Sequence, residues 1–279
     1  MKVIIQKADL DTCLTGLILG VGSGDEVIGV RGDASPEDLD DPEVLCIEAG
    51  GSGRVDLNNF DHHETDEYLP PACRQAFEHK GIKNEGLSRL VDYVAMVDEA
   101  VNEHPAITFP SLSSLFSGML FVESEPLGQF RCGVALLQRV LDDHIDPFST
   151  MPEYQAWHPY IKAKKENQKR LQIMLEASEF YNSRGGLKIG FSEYDAIGGI
   201  GYLYSEGCDV VILHNPAFGN PPVRKFTIAG NSINVGRLKR IFDRQEKGWG
   251  GTRTILGSPQ ETGTTLPKDE VLSIVRENL

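Results

Sequence analysis

A chain of 279 residues with 40% hydrophobic and 24% charged residues is long enough for two domains with cores of their own, and nothing in its composition points to a disordered or fibrous protein. Its formal net charge of −14 makes long nucleic acid a poor partner, because polyanion binding draws on a basic surface. The opening Met1-Lys2-Val3-Ile4-Ile5-Gln6-Lys7 is apolar for only three residues, too few for a signal-peptide core or a membrane span, so a cytoplasmic protein without membrane contact is expected.

The first part alternates strand and helix. Val3 to Gln6 reads as a buried strand, Thr12 to Gly20 as a helix capped by Asp11 or Thr12, Glu26 to Val30 as a second strand and Val44 to Glu48 as a third. This rhythm predicts a parallel sheet, whose ligands gather beyond the carboxyl ends of the strands, and Asp9, Asp11 and Glu48 all fall there. On an extended segment residues i and i+2 share a side, so Asp9 and Asp11 would hold two carboxylates together, a pair that repels itself unless cations are present. A plain strand-end turn is the alternative. Gly20-x-Gly22-x-Gly24 follows a helix rather than a strand and reads as a helix stop and loop.

Asp61-His62-His63-Glu64 comes directly after a short apolar stretch. Carboxylates bring hard oxygen donors and a neutral imidazole brings a borderline nitrogen, a mix suited to Mn²⁺, Mg²⁺ or Co²⁺. Adjacent side chains on an extended segment point to opposite faces, so His62 and His63 are not expected to bind one ion together. One would be a ligand while the other meets substrate, and a solvated loop is the alternative. From Gly86 to Val101, at helical spacing, Leu87, Leu90, Val91, Val94 and Ala95 form an apolar stripe, with Asp98 in its middle and Asp92 opposite. A carboxylate on the core face needs either a partner, such as a metal ion, or a last turn that returns it to water. Cys13, Cys46, Cys73, Cys132 and Cys208 include no Cys-x-x-Cys pair and read as small buried residues.

Charge divides the chain unevenly. Residues 1–185 carry 16 Lys and Arg against 31 Asp and Glu, and residues 186–279 carry 11 against 10. The acidic part fits a metal-holding domain and the balanced part a surface for the anionic end of a substrate. Pro152 to Phe180 reads as helix, with Tyr154, Trp157, Tyr160 and Ile161 ahead of a basic run (Lys162, Lys164, Lys165, Lys169, Arg170) and Leu171, Met174 and Leu175 behind it, a solvated linker or a hinge. Gly185-Gly186 marks the expected start of a second domain, with strands at Leu187 to Phe191, Val210 to His214 and Lys225 to Ala229 in a small mixed sheet. Val235, Leu238, Ile241 and Phe242 suggest a helix closed by Gly248, with Arg237, Arg240 and Arg244 on its opposite face. The glycines of 248–251 would let backbone N–H groups approach an anion.

The order Asp9-x-Asp11, Glu48, Asp61-His62-His63 and Asp98 resembles that of the DHH phosphoesterase superfamily. The stretch from Ile47-Glu48-Ala49-Gly50-Gly51 to Phe60-Asp61-His62-His63-Glu64 resembles its exopolyphosphatase-related members in particular. Lys247-Gly248-Trp249-Gly250-Gly251, followed by Ile255-Leu256-Gly257-Ser258, resembles the glycine-rich signature of the DHH-associated domain. The resemblance spans nearly the whole chain and implies an α/β protein in three parts. Residues 1–150 would be a parallel-sheet DHH domain with flanking helices, residues 151–185 a helical linker, and residues 186–279 a smaller α/β DHH-associated domain with a mixed sheet, the active site lying in the cleft between the domains.

It also implies two divalent cations, often Mn²⁺, and hydrolysis of a phosphoester or phosphoanhydride bond by a metal-bound water. By resemblance, Asp9 and Glu48 would serve the first ion and Asp11, Glu48, His62 and Asp98 the second, with Glu48 bridging. Asp61 would fix an imidazole tautomer, and His63, Gly250, Gly251, Thr252 and Arg253 would meet the substrate phosphate. The expected substrate is small: a short polyphosphate, a nucleotide or a very short oligonucleotide. A homodimer is compatible with the sequence.

Three positions depart from the family pattern. Many members carry a histidine shortly before the first paired aspartate, whereas Gln6, Lys7 and Ala8 stand here. A protonated lysine cannot bind a metal, so the first ion would be weaker, absent or replaced in part by the Lys7 charge. A catalytically impaired sensor of a phosphorylated ligand is the competing reading. Glu48 stands where aspartate is common. Thr252-Arg253 follows the glycines where a histidine is common, and a guanidinium fork suits phosphate.

Overall fold

The computed structural model describes residues 1–63, 65, 68–99, 108–193, 196–219 and 221–279. Glu64 and the end of the helix expected to reach Val101 lie outside the described residues. The chain forms two compact units, Met1–Lys164 and Lys165–Leu279.

In the first unit, strands β1 (Lys2–Ile5), β2 (Glu26–Gly29), β3 (Val44–Ile47) and β4 (Asn59–Phe60) make an all-parallel sheet in the order β2-β1-β3-β4. Side chains alternate across a strand, and here both faces are covered, so β1 and β3 read as continuous apolar runs. Val3, Ile5, Leu45 and Ile47 enter the larger core, while Ile4, Val44 and Cys46 enter a smaller one with Ala34 and Ala49. The larger core is closed by α1 (Leu10–Leu19), α3 (Ala72–Lys80), α4 (Glu85–Asp98), α5 (Leu112–Val122) and α6 (Pro126–Asp142), through residues such as Leu14, Ala76, Val94, Leu115 and Leu137. The short α2 (Pro36–Leu39) packs on the other side, where Leu39 meets the smaller core.

Helix α1 begins at Leu10 rather than Thr12, because its cap is Asp9, whose Oδ1 accepts the Thr12 N–H at 3.0 Å. Asp9 and Asp11 are therefore not two residues of one extended segment. Asp11 lies in the first turn of α1, and Gly20 closes the helix in the left-handed region with φ 78°, as its glycine implied.

The division between the units falls inside helix α7 (His158–Glu176). In the second unit, β5 (Glu179–Asn182), β6 (Lys188–Ser192), β7 (Val210–Phe218), β8 (Val223–Gly230), β9 (Gly250–Gly251) and β10 (Ile255–Gly257) form a mixed sheet in the order β5-β6-β7-β8-β10-β9. Among the described residues, only the β6–β7 pair of this sheet is parallel, with α8 (Gly199–Ser205) as its crossover. One face packs Ile189, Val210, Ile212 and Phe226 against Phe242 of α9 (Lys239–Gln245) and Val271 and Val275 of α10 (Lys268–Asn278). The other packs Val211 against Leu171, Met174 and Leu203.

Three expectations change here. Phe180 belongs to β5, a strand-favouring Glu-Phe-Tyr-Asn run, not to the preceding helix. Gly185-Gly186 lies in the turn that joins β5 to its antiparallel partner β6, so the second unit already includes residues before it. Helix α9 ends at Gln245 with Glu246 extended, so Gly248 is not its cap. Arg237, Arg240 and Arg244 are exposed. Among the described residues, no helix is long and apolar enough to cross a membrane.

Candidate metal centre

The carboxyl ends of β1 and β3 set the geometry of the first unit's polar cluster. Glu48 follows β3 directly, in the left-handed region at φ 48°, a conformation that residues with side chains seldom adopt and that often accompanies a functional site. Its side chain is 1% exposed. Oε2 accepts a hydrogen bond from Thr12 Oγ1 at 2.5 Å, while Oε1 has none among the described residues. His62 Nε2, 3.5 Å from that oxygen and 3.2 Å from Asp98 Oδ2, is likewise buried without a hydrogen bond. Asp98 sits in the last turn of α4, half-buried and turned to His62, not out to water.

Each of Asp11, Glu48, His62 and Asp98 offers one donor atom such that all four lie within 4.8 Å of one another. Glu48, His62 and His63 form a second such group, with the imidazole rings 4.4 Å apart. The adjacent histidines thus approach the same Glu48 oxygen, contrary to the expectation of opposite faces. Strand β4 ends at Phe60, so strict alternation no longer governs them.

The electrostatics of the cluster follow from crowding acids in a partly dry site. Burial, reinforced by the Glu48 charge, pushes Asp11 up to about 7 even though its carboxylate accepts the Ala72 and Cys73 N–H groups at 2.7 and 2.8 Å. Those two bonds cap α3, whose own N-cap residue, Pro71, supplies no side-chain bond. Burial also raises Glu48, against the nearby His62 imidazole and the bond from Thr12, and raises Asp98 against the His62 charge. His62 is raised, first by its contact with Glu48.

Asp9 behaves differently. Burial would raise it, but the charge and bond of Lys7, whose Nζ is 2.8 Å from Oδ2, hold it below the usual carboxylate range. For Lys7, burial pulls down and Asp9, Glu48 and Asp98 outweigh it upward. Among the described residues, Asp9 belongs to neither the four- nor the three-donor group.

The donor chemistry suits a divalent cation. Three carboxylates and one imidazole, two of whose atoms are buried without hydrogen bonds, form the oxygen-rich set that Mn²⁺ or Mg²⁺ accepts. Beside it opens a pocket of about 630 Å³, lined by Lys7, Glu48, Asp61 and His63 together with Gln6, Asp33, Ser52 and Arg54. Asp61, buried, is the brace of this wall. Its Oδ2 accepts the Gly50 N–H at 2.6 Å, and its Oδ1 accepts the His63 N–H at 2.7 Å and lies 3.0 Å from His63 Nδ1.

The other expected phosphate residues belong to the second unit. Gly250, Gly251, Thr252 and Arg253 are all exposed. At Gly251, φ is 151° and an added Cβ would come within 2.1 Å of the Ile255 carbonyl oxygen, so this glycine is required by the β9–β10 pairing itself. At Gly250 a Cβ would meet open space. The Thr252 N–H is spent on Ile255 O at 2.8 Å, and Arg253 O accepts the Gly236 N–H at 3.0 Å.

Sequence reasoning missed Thr12 as the Glu48 anchor and Gln6, Asp33, Ser52 and Arg54 as pocket wall. Gln6 and Asp33 had a usable signal, since both follow strands of the parallel sheet at their carboxyl ends.

In sequence, no family model matches the chain and no curated protein is similar to it. In structure it is similar to PggH, a pGpG-specific phosphodiesterase from Vibrio cholerae, with a TM-score of 0.66 at 14% identity over 99% of this chain and 97% of that one. The chain shares the fold of that phosphodiesterase. A DHH domain from a member of the s1p family of ribosomal proteins aligns over 92% of this chain and 82% of that one at 12% identity, with a TM-score of 0.39, too low to bear on the argument. The parallel sheet and the mixed sheet expected from the sequence are therefore both present, in an arrangement shared with that phosphodiesterase.

Proposed function

We propose that this chain is a divalent-metal-dependent phosphodiesterase that hydrolyses a small phosphorylated substrate, a nucleotide or a very short oligonucleotide. The observation that carries the reading is the convergence of Asp11, Glu48, His62 and Asp98, with buried unpaired atoms on Glu48 and His62, at the edge of a pocket on the carboxyl side of a parallel sheet. The phosphodiesterase that shares its fold adds weight to the reaction class.

The residues divide the work. Asp11, Glu48, His62 and Asp98 would hold a cation. When bound, it lowers the pKa of water and steadies the charge of an in-line displacement at phosphorus. Asp61 Oδ1, 3.0 Å from His63 Nδ1, would hold that imidazole in one tautomer, and His63, in the pocket wall, would meet the phosphate. Thr12 fixes Glu48 by its hydroxyl. In the second unit, Gly250, Gly251, Thr252 and Arg253 are the proposed contacts for a substrate phosphate, with the Arg253 guanidinium as the charged partner.

The pocket favours a phosphodiester over a polyphosphate. Its cations are Lys7 and Arg54, and each is already paired, with Asp9 at 2.8 Å and with Asp40 at 2.5 Å. A chain of many phosphates would need free ones. The ion pair at Asp9 also supports a second reading, a sensor that binds phosphorylated ligand without turnover. The test is hydrolysis of 5′-phosphorylated dinucleotides, bis(p-nitrophenyl) phosphate and short polyphosphate with Mn²⁺, Mg²⁺ or EDTA. Metal-dependent turnover of the diesters that disappears in Asp61→Ala and His62→Ala supports the enzyme. Full turnover by those variants overturns it, and tight binding without turnover selects the sensor.

A further inference from the structure

Building on the reading of Asp11, Glu48, His62 and Asp98 as a cation site, we infer that Lys7 takes the place of a second metal ion and that this chain works with a single divalent cation. The two halves of the acidic cluster are unequally equipped. On one side stand four donors within 4.8 Å of one another, including a Glu48 side chain that is 1% exposed and has a buried oxygen lacking any hydrogen bond among the described residues. On the other side, Asp9 joins no group of three or more potential ligands among the described residues.

Both Asp9 oxygens are also committed. Oδ2 is 2.8 Å from Lys7 Nζ, and Oδ1 accepts the Thr12 N–H at 3.0 Å as the cap of α1. A cation placed on Oδ2 would meet an ammonium at contact distance, like charge against like. The ammonium is tethered two residues from the carboxylate it neutralises, so it competes at a high local concentration that no free ion matches. Its carboxylate partner gains a positive charge, but not the coordination that would let a second ion share ligands through Glu48.

Lys7 also lines the pocket, where its remaining N–H groups can reach a phosphate oxygen. The lysine thus keeps the positive charge on the substrate side while giving up ligand exchange there. It differs from a metal ion in one further way: its position is fixed by the chain and does not depend on metal supply.

Counting ions and reading their magnetic coupling tests this directly. The full-length protein is loaded with excess Mn²⁺ and desalted, and metal per chain is measured together with the electron paramagnetic resonance spectrum. The wild type is expected to retain one Mn²⁺ per chain with the six-line signal of an isolated ion. Lys7→His removes the ammonium and supplies an imidazole, and is expected to retain two ions with an exchange-coupled signal. Two coupled ions in the wild type overturn the inference, as does a single ion in both proteins, which would mean that the lysine is not what excludes the second. No retained Mn²⁺ in the wild type would instead overturn the cation site itself, and with it the proposed function. Because Lys7 is largely exposed, at 59%, either protein should fold.

Discussion

In the first unit, the atoms that matter most are buried and, among the described residues, unsatisfied: Glu48 Oε1 and His62 Nε2 face each other at 3.5 Å with no hydrogen bond between them. In the second unit, the segment proposed to touch phosphate, Gly250 to Arg253, lies in the open, and part of its backbone is already used in pairing with Ile255 and Gly236. Buried polar groups without partners cost free energy, on the order of 1–3 kcal/mol each, so they persist where a ligand repays the cost. Exposed backbone N–H groups and an exposed guanidinium cost nothing while they wait in water. A site of the first kind is visible in the protein alone, whereas one of the second kind becomes visible only with its ligand.

The contrast can be broken most sharply at Glu48. Glu48→Ala removes the acid shared by both donor groups, and it is expected to abolish tight Mn²⁺ binding in calorimetry and to lower diester hydrolysis by about 10³-fold, the upper range for losing one charge-stabilising group. Unchanged binding would show that the unpaired oxygen is not a ligand. Asp61→Asn should do less, because it leaves the donors in place and disturbs only the orientation of His63. A loss of about 10- to 100-fold in kcat with unchanged metal content is expected, the range for residues that orient others at a metal site. A parallel loss of metal would place Asp61 among the ligands.

In the second unit, the paired glycines separate packing from binding. Gly251→Ala forces a Cβ against the Ile255 carbonyl and should lower stability by about 1–3 kcal/mol in thermal or denaturant unfolding. Gly250→Ala has open space, so its melting temperature should be unchanged while KM rises if the backbone there approaches phosphate. The smallest effect is expected at Arg253→Ala, about a tenfold rise in KM with unaltered metal content and fold, in line with one charged hydrogen bond. An unchanged KM would leave Arg253 as surface charge.

Much of the fold was legible because strands β1 and β3 are buried on both faces and so carry short unbroken apolar runs, the second followed directly by Glu48. Asp98 was legible too, since a carboxylate in the middle of an apolar helical stripe demands a partner, and the structure supplies His62. What escaped the sequence depends on contacts distant along the chain. Asp11 caps α3 from 61 and 62 residues away, and no local pattern encodes that. Residues 179–182 pass for the end of a helix until β6 appears as their partner. Pairing of His62 and His63 around one oxygen was misjudged because alternation was extended past the end of β4.

The most direct test of the central claim follows cation binding and chemistry together. Mn²⁺ is titrated into the metal-free wild type and His62→Ala proteins, and binding by calorimetry is compared with turnover of a 5′-phosphorylated dinucleotide over the same concentrations. The account predicts that turnover in the wild type rises with the same midpoint as binding, and that both shift together to much higher Mn²⁺ in His62→Ala. Turnover without added metal in the presence of EDTA, or binding that His62→Ala leaves untouched, would contradict it.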